Sequence, residues 1–460
     1  MSIKVRTRFA PSPTGMLHIG GARTALFNYL FAKHMGGEYV LRVEDTDIER
    51  STPEAIEAIL EGLNWLDIPH DGAPVYQTKQ RQKHVDAAHK MLEAGEAYKC
   101  YCTTEELAAV REAQQAAGQK TMYNQKCRDG SDAPEGTPFT VRLKTPNEGK
   151  TSWDDAVQGT IDYPNKELDD LILLRSDGTP TYNLAVVVDD ADMGITHVIR
   201  GDDHINNTPK QILIYKALGL DVPTFAHVPL IHGDDGKKLS KRHGAVSVTA
   251  FRDEGFLPEA VSNYLLQLGW SYPEDMVDRE TAIKHFDVKG INKGAANFST
   301  QKLEWLNSQY MMKMDGAALF KAVRPYLAAE PTDVQAARLE KGLPGLAKRA
   351  KRLTTLAESA AVYQAEAPLT LDEGAAAAMD DDAKARMQQL KAKLEQVNDW
   401  TVEALDEAIS SFITENELKM PLVGKPLRAA LLGTTQAPSL GEILWVLGKE
   451  ESIHRLGLQA

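Results

Sequence analysis

Polar and apolar positions alternate over residues 3–10 (Ile-Lys-Val-Arg-Thr-Arg-Phe-Ala), the period of a strand with one buried face. Pro11-Ser-Pro-Thr-Gly15 breaks that run. From Gly21 the period changes. Ala22, Ala25, Leu26, Tyr29, Leu30 and Lys33 keep helical spacing, which predicts an amphipathic helix ended by Gly36-Gly37. Tyr39-Val-Leu-Arg-Val43 reads as a second strand running into Glu44-Asp-Thr-Asp47. Strand, glycine-containing turn, helix and strand make a βαβ unit, so a parallel sheet is expected with its ligand at the strand carboxyl ends. Ser51-Thr-Pro-Glu54 has the form of a helix cap followed by an early proline.

Further along, Phe139–Leu143 and Leu171–Leu174 are short strand-like runs. The main sheet is predicted to resume with Thr181-Tyr-Asn-Leu-Ala-Val-Val-Val-Asp189 and His197-Val-Ile-Arg200. The helical pattern dominates from about 245 and is nearly unbroken after about 310, rich in Ala, Leu, Glu, Lys and Gln. The expected fold class is α/β: a Rossmann-type parallel sheet with an α+β insertion, followed by an all-helical domain. Residues 1–97 hold the first half of the sheet domain and 98–185 the insertion. Residues 186–245 hold the second half, 246–310 a helical bridging segment and 311–460 the all-helical part.

A chain of 460 residues exceeds one ordinary core, which agrees with that division. With 43% hydrophobic and 25% charged residues, the composition is that of a globular protein. No stretch approaches the roughly 20 apolar residues that span a bilayer. The N-terminal segment is too charged for a signal peptide, so a cytoplasmic location is expected. A formal net charge of -13 argues against a protein that coats nucleic acid through bulk positive charge. It leaves room for basic residues confined to one face. The three cysteines, Cys100, Cys102 and Cys127, form a C-x-C pair and a third thiol, which suits a metal site or free thiols better than a disulfide framework.

Two stretches carry candidate chemistry. Pro11-Ser12-Pro13-Thr14-Gly15-Met16-Leu17-His18-Ile19-Gly20-Gly21 lies between the first strand and first helix, where helix N-terminal N–H groups attract phosphate. Gly20 and Gly21 leave room for a flat base on the backbone, and His18 can donate to phosphate oxygens as charge moves in a transition state. The bland reading is a tight strand-to-helix turn. The second stretch, Lys238-Leu239-Ser240-Lys241-Arg242, follows the polar glycine-containing loop His232–Lys237. Clustered lysines neutralise polyphosphate and a leaving pyrophosphate. An isolated basic run is usually a solvated loop. There is no G-x-x-x-x-G-K-[ST] stretch, which disfavours an ordinary P-loop nucleotidase.

Taken together and in this order, the two stretches resemble the paired nucleotide-binding signatures of class I aminoacyl-tRNA synthetases. The general class pattern has a second histidine where Gly21 stands. Glycine there narrows the resemblance to the glutamyl and glutaminyl branch. Similarity to bacterial glutamyl-tRNA synthetases runs nearly end to end, through residues 8–15, 20–26 and 41–47, Pro180-Thr-Tyr-Asn183, Val188-Asp-Asp190, His197–Gly201 and Lys238–Arg242. The resemblance implies ATP with Mg²⁺ as cofactors and Pro11, Gly20, Gly21, Ser240, Lys241 and Arg242 in ATP binding. His18, Lys238 and Lys241 are implied to assist activation, in a monomer that uses L-glutamate, ATP and tRNA(Glu). Arg8, Ser12, Tyr182 and Arg200 are implied to complete a glutamate pocket with Glu44. Glu44, at a strand end, suits an ammonium group. A guanidinium fork pairs with a carboxylate but would face the N–H donors of glutamine, and an unpaired buried donor costs several kcal/mol.

The insertion is implied to contact the tRNA acceptor end, where several bacterial relatives hold zinc with three cysteines and a histidine. Here Asp129 takes the histidine's place, and Tyr123 is another candidate fourth ligand beside Cys100, Cys102 and Cys127. The helical tail is implied to bind the anticodon, with Arg352 of Lys348-Arg-Ala-Lys-Arg352 matched to its third base. A solvated helix face is the ordinary reading of such a cluster. Glutaminyl-tRNA synthetases share the catalytic blocks but carry a β-barrel anticodon region, unlike the helical pattern here. A catalytically silent tRNA-binding paralogue would have no use for intact His18, Glu44, Lys238 and Lys241. Whether tRNA(Gln) is also charged stays open at this level.

Overall fold

The computed structural model describes residues 4–47, 50–233, 247–436 and 438–458. The chain forms two compact units, Met1–Ala250 with Ser262–Ser299, and Phe251–Val261 with Thr300–Ala460.

The first unit is built on a five-stranded sheet of β1 (Arg6–Phe9), β2 (Glu38–Val43), β3 (Val75–Tyr76), β9 (His197–Gly201) and β10 (Thr224–Val228). Its order is β10-β9-β1-β2-β3 and every pairing is parallel. Chain order reverses between β1 and β9, and such a switch point opens a crevice at the strand carboxyl ends. Arg8 pairs in register with Val40, and Arg200 with His227.

Helix α1 (Ile19–His34) follows β1. It begins two residues before the expected start and is buried on nearly every face, including Arg23 and Asn28. The amphipathic expectation therefore gives way to a helix enclosed within the unit. At its end Gly36 takes φ +63°, and a Cβ on Gly37 would lie 2.1 Å from the Val5 carbonyl oxygen. Only glycine fits that approach. Helix α2 (Pro53–Trp65) is capped by Thr52, whose hydroxyl accepts from Ala55 N at 3.2 Å, with Pro53 in the first turn as expected.

The insertion follows α3 (Arg81–Glu93). Strands β4 (Ala97–Cys100), β5 (Thr140–Leu143) and β8 (Ile172–Leu174) form an antiparallel sheet, with α4 (Thr104–Ala116) between the first two. Strands β6 (Lys150–Asp155) and β7 (Gly159–Pro164) form a hairpin. That hairpin is tied to β10, because Ala156 N donates to Phe225 O at 2.8 Å.

One expected element is corrected. Residues 181–189, read as a returning strand, form the start of helix α5 (Tyr182–Asp192). Leu184, Ala185, Val186, Val187, Asp189 and Asp190 are all buried. A continuous apolar run has no periodicity to separate a buried strand from a buried helix, and here the helix is covered on several sides. Sheet pairing resumes at β9, after α5. Helix α6 (Thr208–Ala217) then joins β9 to β10.

The second unit is helical throughout among the described residues from Thr300 onward. Its core gathers buried side chains from successive helices, among them Leu339, Leu356, Leu390, Leu427 and Leu444. It starts at Thr300, somewhat before the expected 311, and takes in Phe251–Val261. No helix among the described residues is long and apolar enough to cross a membrane.

Candidate active site

A cavity of about 1000 Å³ opens at the carboxyl ends of β1, β2 and β9. Its lining includes Arg8, Pro11, Ser12, His18, Gly20, Gly21, Glu44, Tyr182 and Arg200. Residues scattered over nearly two hundred positions converge because β1 and β9 are neighbours and the loops after β1 and β2 leave from the same edge. Lys238, Ser240, Lys241 and Arg242 lie outside the described residues.

At the nucleotide end, His18 caps α1, with its Nδ1 accepting from Gly21 N at 3.2 Å. A Cβ on Gly20 would crowd the His18 ring at 3.2 Å and 3.3 Å. The glycine keeps both the ring's position and the open backbone. Leu17 and His18 also engage the chain after the Lys238–Arg242 stretch: Val248 N donates to Leu17 O at 2.8 Å, and His18 bridges to Ser247.

At the other end is a buried ionic network. Arg8 donates through Nε and Nη2 to the two Asp190 oxygens, at 3.2 Å and 3.3 Å. Arg42, fully buried, spans Asp190 Oδ1 and Glu44 Oε1, the latter at 3.0 Å. Asp189 receives Gln77 Nε2 at 2.8 Å and meets His84 Nε2 at 2.6 Å. Burial raises the Glu44 carboxyl, against the downward pull of Arg42 and Arg8. Burial also opposes the Asp190 charge, but Arg42 and Arg8 outweigh it and hold that carboxyl below its ordinary range. Glu44 is thus a carboxylate that an added cation would stabilise.

Arg200 is held differently. Nε donates to His227 Nε2 at 3.1 Å, Nη1 to Gln211 Oε1 at 2.9 Å, and Nη2 to Thr208 Oγ1 at 2.8 Å. Nη2 also donates to His204 O at 3.4 Å; all four partners are neutral oxygens or nitrogens, and among the described residues Arg200 makes no ion pair. Its burial brings the guanidinium down to about 10. With these bonds made, the full fork expected of Arg200 is not open, whereas Arg8 meets Asp190 through Nε and Nη2 and not through Nη1. Tyr182, first residue of α5, is 41% exposed and its hydroxyl lies 3.3 Å from His204 Nδ1. Ser12 is exposed on the cavity rim.

Arg42, Asp190, His227 and Asp155 had no assigned role in the sequence. One signal was available for Arg42: in a strand it shares a face with Glu44, two residues on. Nothing local links the others.

In the insertion, the Cys100, Cys102 and Cys127 sulfurs all lie within 4.8 Å of one another. The Tyr123 hydroxyl is 3.2 Å from Cys100 Sγ and 3.6 Å from Cys102 Sγ. Burial resists the Cys100 thiolate, but Tyr123, the Cys102 backbone and Arg142 outweigh it and bring the thiol to about 7. Asp129 is outside that group of sulfurs. In the second unit Arg352 stands at the N-cap position of the helix Leu353–Gln364, without a side-chain cap bond, and pairs with Glu254 at 2.8 Å and Glu304 at 2.9 Å.

Residues 4–305 match the family described as "tRNA synthetases class I (E and Q), catalytic domain", and residues 318–459 match "Anticodon binding domain". The chain is 49% identical to a glutamate–tRNA ligase 2 of Chelativorans sp. (strain BNC1), over 100% of this chain and 99% of that protein. The chain belongs to the class I glutamate–tRNA ligase family. A glutamate–tRNA ligase 2 of Rhizorhabdus wittichii is 50% identical, over 98% of this chain and 97% of that one. The crystal structure of a glutamate tRNA ligase from Elizabethkingia meningosepticum, in complex with its amino acid, superposes with a TM-score of 0.86 at 34% identity. Each covers 99% of the other. The helical second unit therefore corresponds to the family's anticodon-binding domain. It stands where a glutaminyl enzyme would carry a β-barrel.

Proposed function

We propose that this enzyme ligates L-glutamate to the 3′ end of tRNA(Glu), through a glutamyl-adenylate, releasing AMP and pyrophosphate. The observation that carries the reading is Arg200, a buried cation in the cavity with neutral partners alone, facing the same space as Glu44. An amino acid with two carboxylates and one ammonium matches that arrangement: Glu44 takes the ammonium, while Arg8 and Arg200 serve the carboxylates. Glutamine would turn an N–H₂ group toward guanidinium donors and leave them unpaired.

In the first step the α-carboxylate of glutamate attacks the α-phosphorus of ATP in line, and pyrophosphate leaves. Gly20 and Gly21 support the adenine, His18 donates to the phosphate oxygens, and Lys238 and Lys241 are the proposed counter-charges for pyrophosphate, with Pro11, Ser240 and Arg242 around the nucleotide. Mg²⁺, when bound with ATP, supplies charge neutralisation on the phosphates. In the second step the terminal adenosine of tRNA attacks the activated carbonyl. These residues act by positioning and charge stabilisation, and no protein base is assigned.

Three clustered thiols with a phenol among them fit a structural zinc, with Tyr123 favoured over Asp129 as fourth ligand. Such an ion would cross-link β4 to the 123–127 turn within the insertion. Arg352 is proposed to serve the anticodon from a position already fixed by two carboxylates.

The test is ATP–pyrophosphate exchange with tRNA present. Exchange should require glutamate and be absent with glutamine. Exchange driven by glutamine alone would reject the specificity. Charging purified tRNA(Glu) and tRNA(Gln) side by side then decides between a discriminating enzyme and one that serves both.

A further inference from the structure

Arg200 reaches the cavity through a chain of contacts that ends outside the sheet domain, on the insertion's hairpin. Asp155 closes β6 and is 4% exposed. Its Oδ2 lies 2.5 Å from His227 Nδ1, and its Oδ1 accepts from His227 N at 3.1 Å. Val157 N and Gln158 N donate to the same Oδ1 at 3.1 Å and 3.0 Å. His227 sits on β10 beside Arg200 on β9 and has no exposure. Its Nε2 is 3.1 Å from both Arg200 Nε and Thr208 Oγ1.

Proton positions are set by these partners. A guanidinium Nε can only donate, so His227 Nε2 must present its lone pair. The ring proton is then on Nδ1, where Asp155 accepts it. Only the neutral Nδ1–H tautomer satisfies both ends.

We infer that Asp155 and His227 form a positioning pair that orients Arg200 while leaving its charge unneutralised for a substrate carboxylate. A carboxylate placed directly on Arg200 would orient it equally well but would cancel the charge the substrate needs. Arg42 shows that alternative, paired with both Asp190 and Glu44. The interposed imidazole keeps the Asp155 charge one ring away.

The surroundings keep the ring neutral. Burial lowers His227, and Arg200 pushes the same way, against Asp155 and the more distant Asp202. His204 also interacts with His227, and Thr208 faces the ring from α6. Burial opposes the Asp155 charge, yet the His227 bond and backbone N–H groups hold its carboxyl below the ordinary range. Asp155 therefore stays ionised where the ring stays neutral.

The inference rests on the proposed glutamate pocket, and its test has an arm that needs no substrate. In ¹⁵N-histidine-labelled enzyme, with the resonance assigned through His227→Gln, His227 should be protonated at Nδ1. In Asp155→Asn the amide can donate to Nδ1, which moves the ring proton to Nε2 against the Arg200 Nε–H. That variant should keep the wild-type ATP KM, at some loss of melting temperature, while its glutamate KM rises about ten- to hundredfold. His227→Gln, whose side-chain oxygen can still accept from Arg200, should retain most of the glutamate affinity that His227→Leu loses. A wild-type ring protonated at Nε2 overturns the inference, as does an Asp155→Asn enzyme whose glutamate KM does not move or moves together with the ATP KM. A wild-type enzyme with the Nδ1–H ring that does not activate glutamate rejects the functional reading instead.

Discussion

Single side chains in the pocket differ less in what they are than in what already satisfies them. Glu44 shares Arg42 with Asp190, so its carboxylate is only partly compensated. Glu44→Gln should raise the glutamate KM about ten- to hundredfold with little change in the ATP KM, measured by exchange kinetics. The raised Glu44 carboxyl sets the pH dependence. An ammonium binds the ionised form, so the glutamate KM should climb on acidification, beginning above the range of an ordinary glutamate. Glu44→Gln should flatten that climb. Asp190 has the opposite sign. Its folded-state value is depressed, so its contribution to stability is complete above the unfolded carboxylate range and is lost as pH falls through the lower folded value. Asp190→Asn leaves Arg8 and Arg42 facing each other without their shared anion, and should cost about 3–5 kcal/mol in urea unfolding at pH 7.

Elements decide how closely these side chains approach. The turn from β1 into α1 is where sequence and structure agree best: breaker, histidine cap and two glycines form a compact corner at a helix N-terminus. Gly20→Ala puts a methyl group against the His18 ring, so the ring or the helix start must shift. ATP KM should rise several-fold in that variant while the unfolding midpoint hardly moves, because the new methyl meets one rotatable side chain. The same logic applied to Gly37 gives another outcome, since its Cβ would meet backbone. Gly37→Ala should lower the melting temperature clearly and leave the ratio of glutamate KM to ATP KM intact. Helix α5 carries the main misreading. Leu-Ala-Val-Val-Val is as good a buried strand as a buried helix, and only the packing around it settles which. That helix matters to the site because it supplies Tyr182 at one end and Asp189 and Asp190 at the other.

At the scale of the molecule, an acidic chain must handle a polyanion with local basic surface. Phosphate contacts displace counterions, so the KM for tRNA should rise steeply between about 50 and 200 mM salt while the KM for glutamate changes little. Equal salt dependence of both would place the tRNA contacts elsewhere than on phosphate. Metal analysis of the purified enzyme should give one zinc per chain, reduced in Cys127→Ser and in Tyr123→Phe but not in Asp129→Ala. Much of this protein is local in origin. Strand and helix periods, the cap at Thr52 and the breaker before α1 come from residues a few positions apart, because backbone and capping preferences act over that range. The helical character of the second unit is legible in the same way, from its composition and period. Which distant groups share a site is a matter of folding alone: Arg8 with Asp190, Arg42 with Asp190, Cys127 with Cys100 and Cys102, and Asp155 with Arg200 through His227. Those pairings depend on strand order and on a hairpin docking against β10. No spacing in a linear chain encodes them, since the energy of a buried charge is set by whichever neighbours the fold brings within about 4 Å.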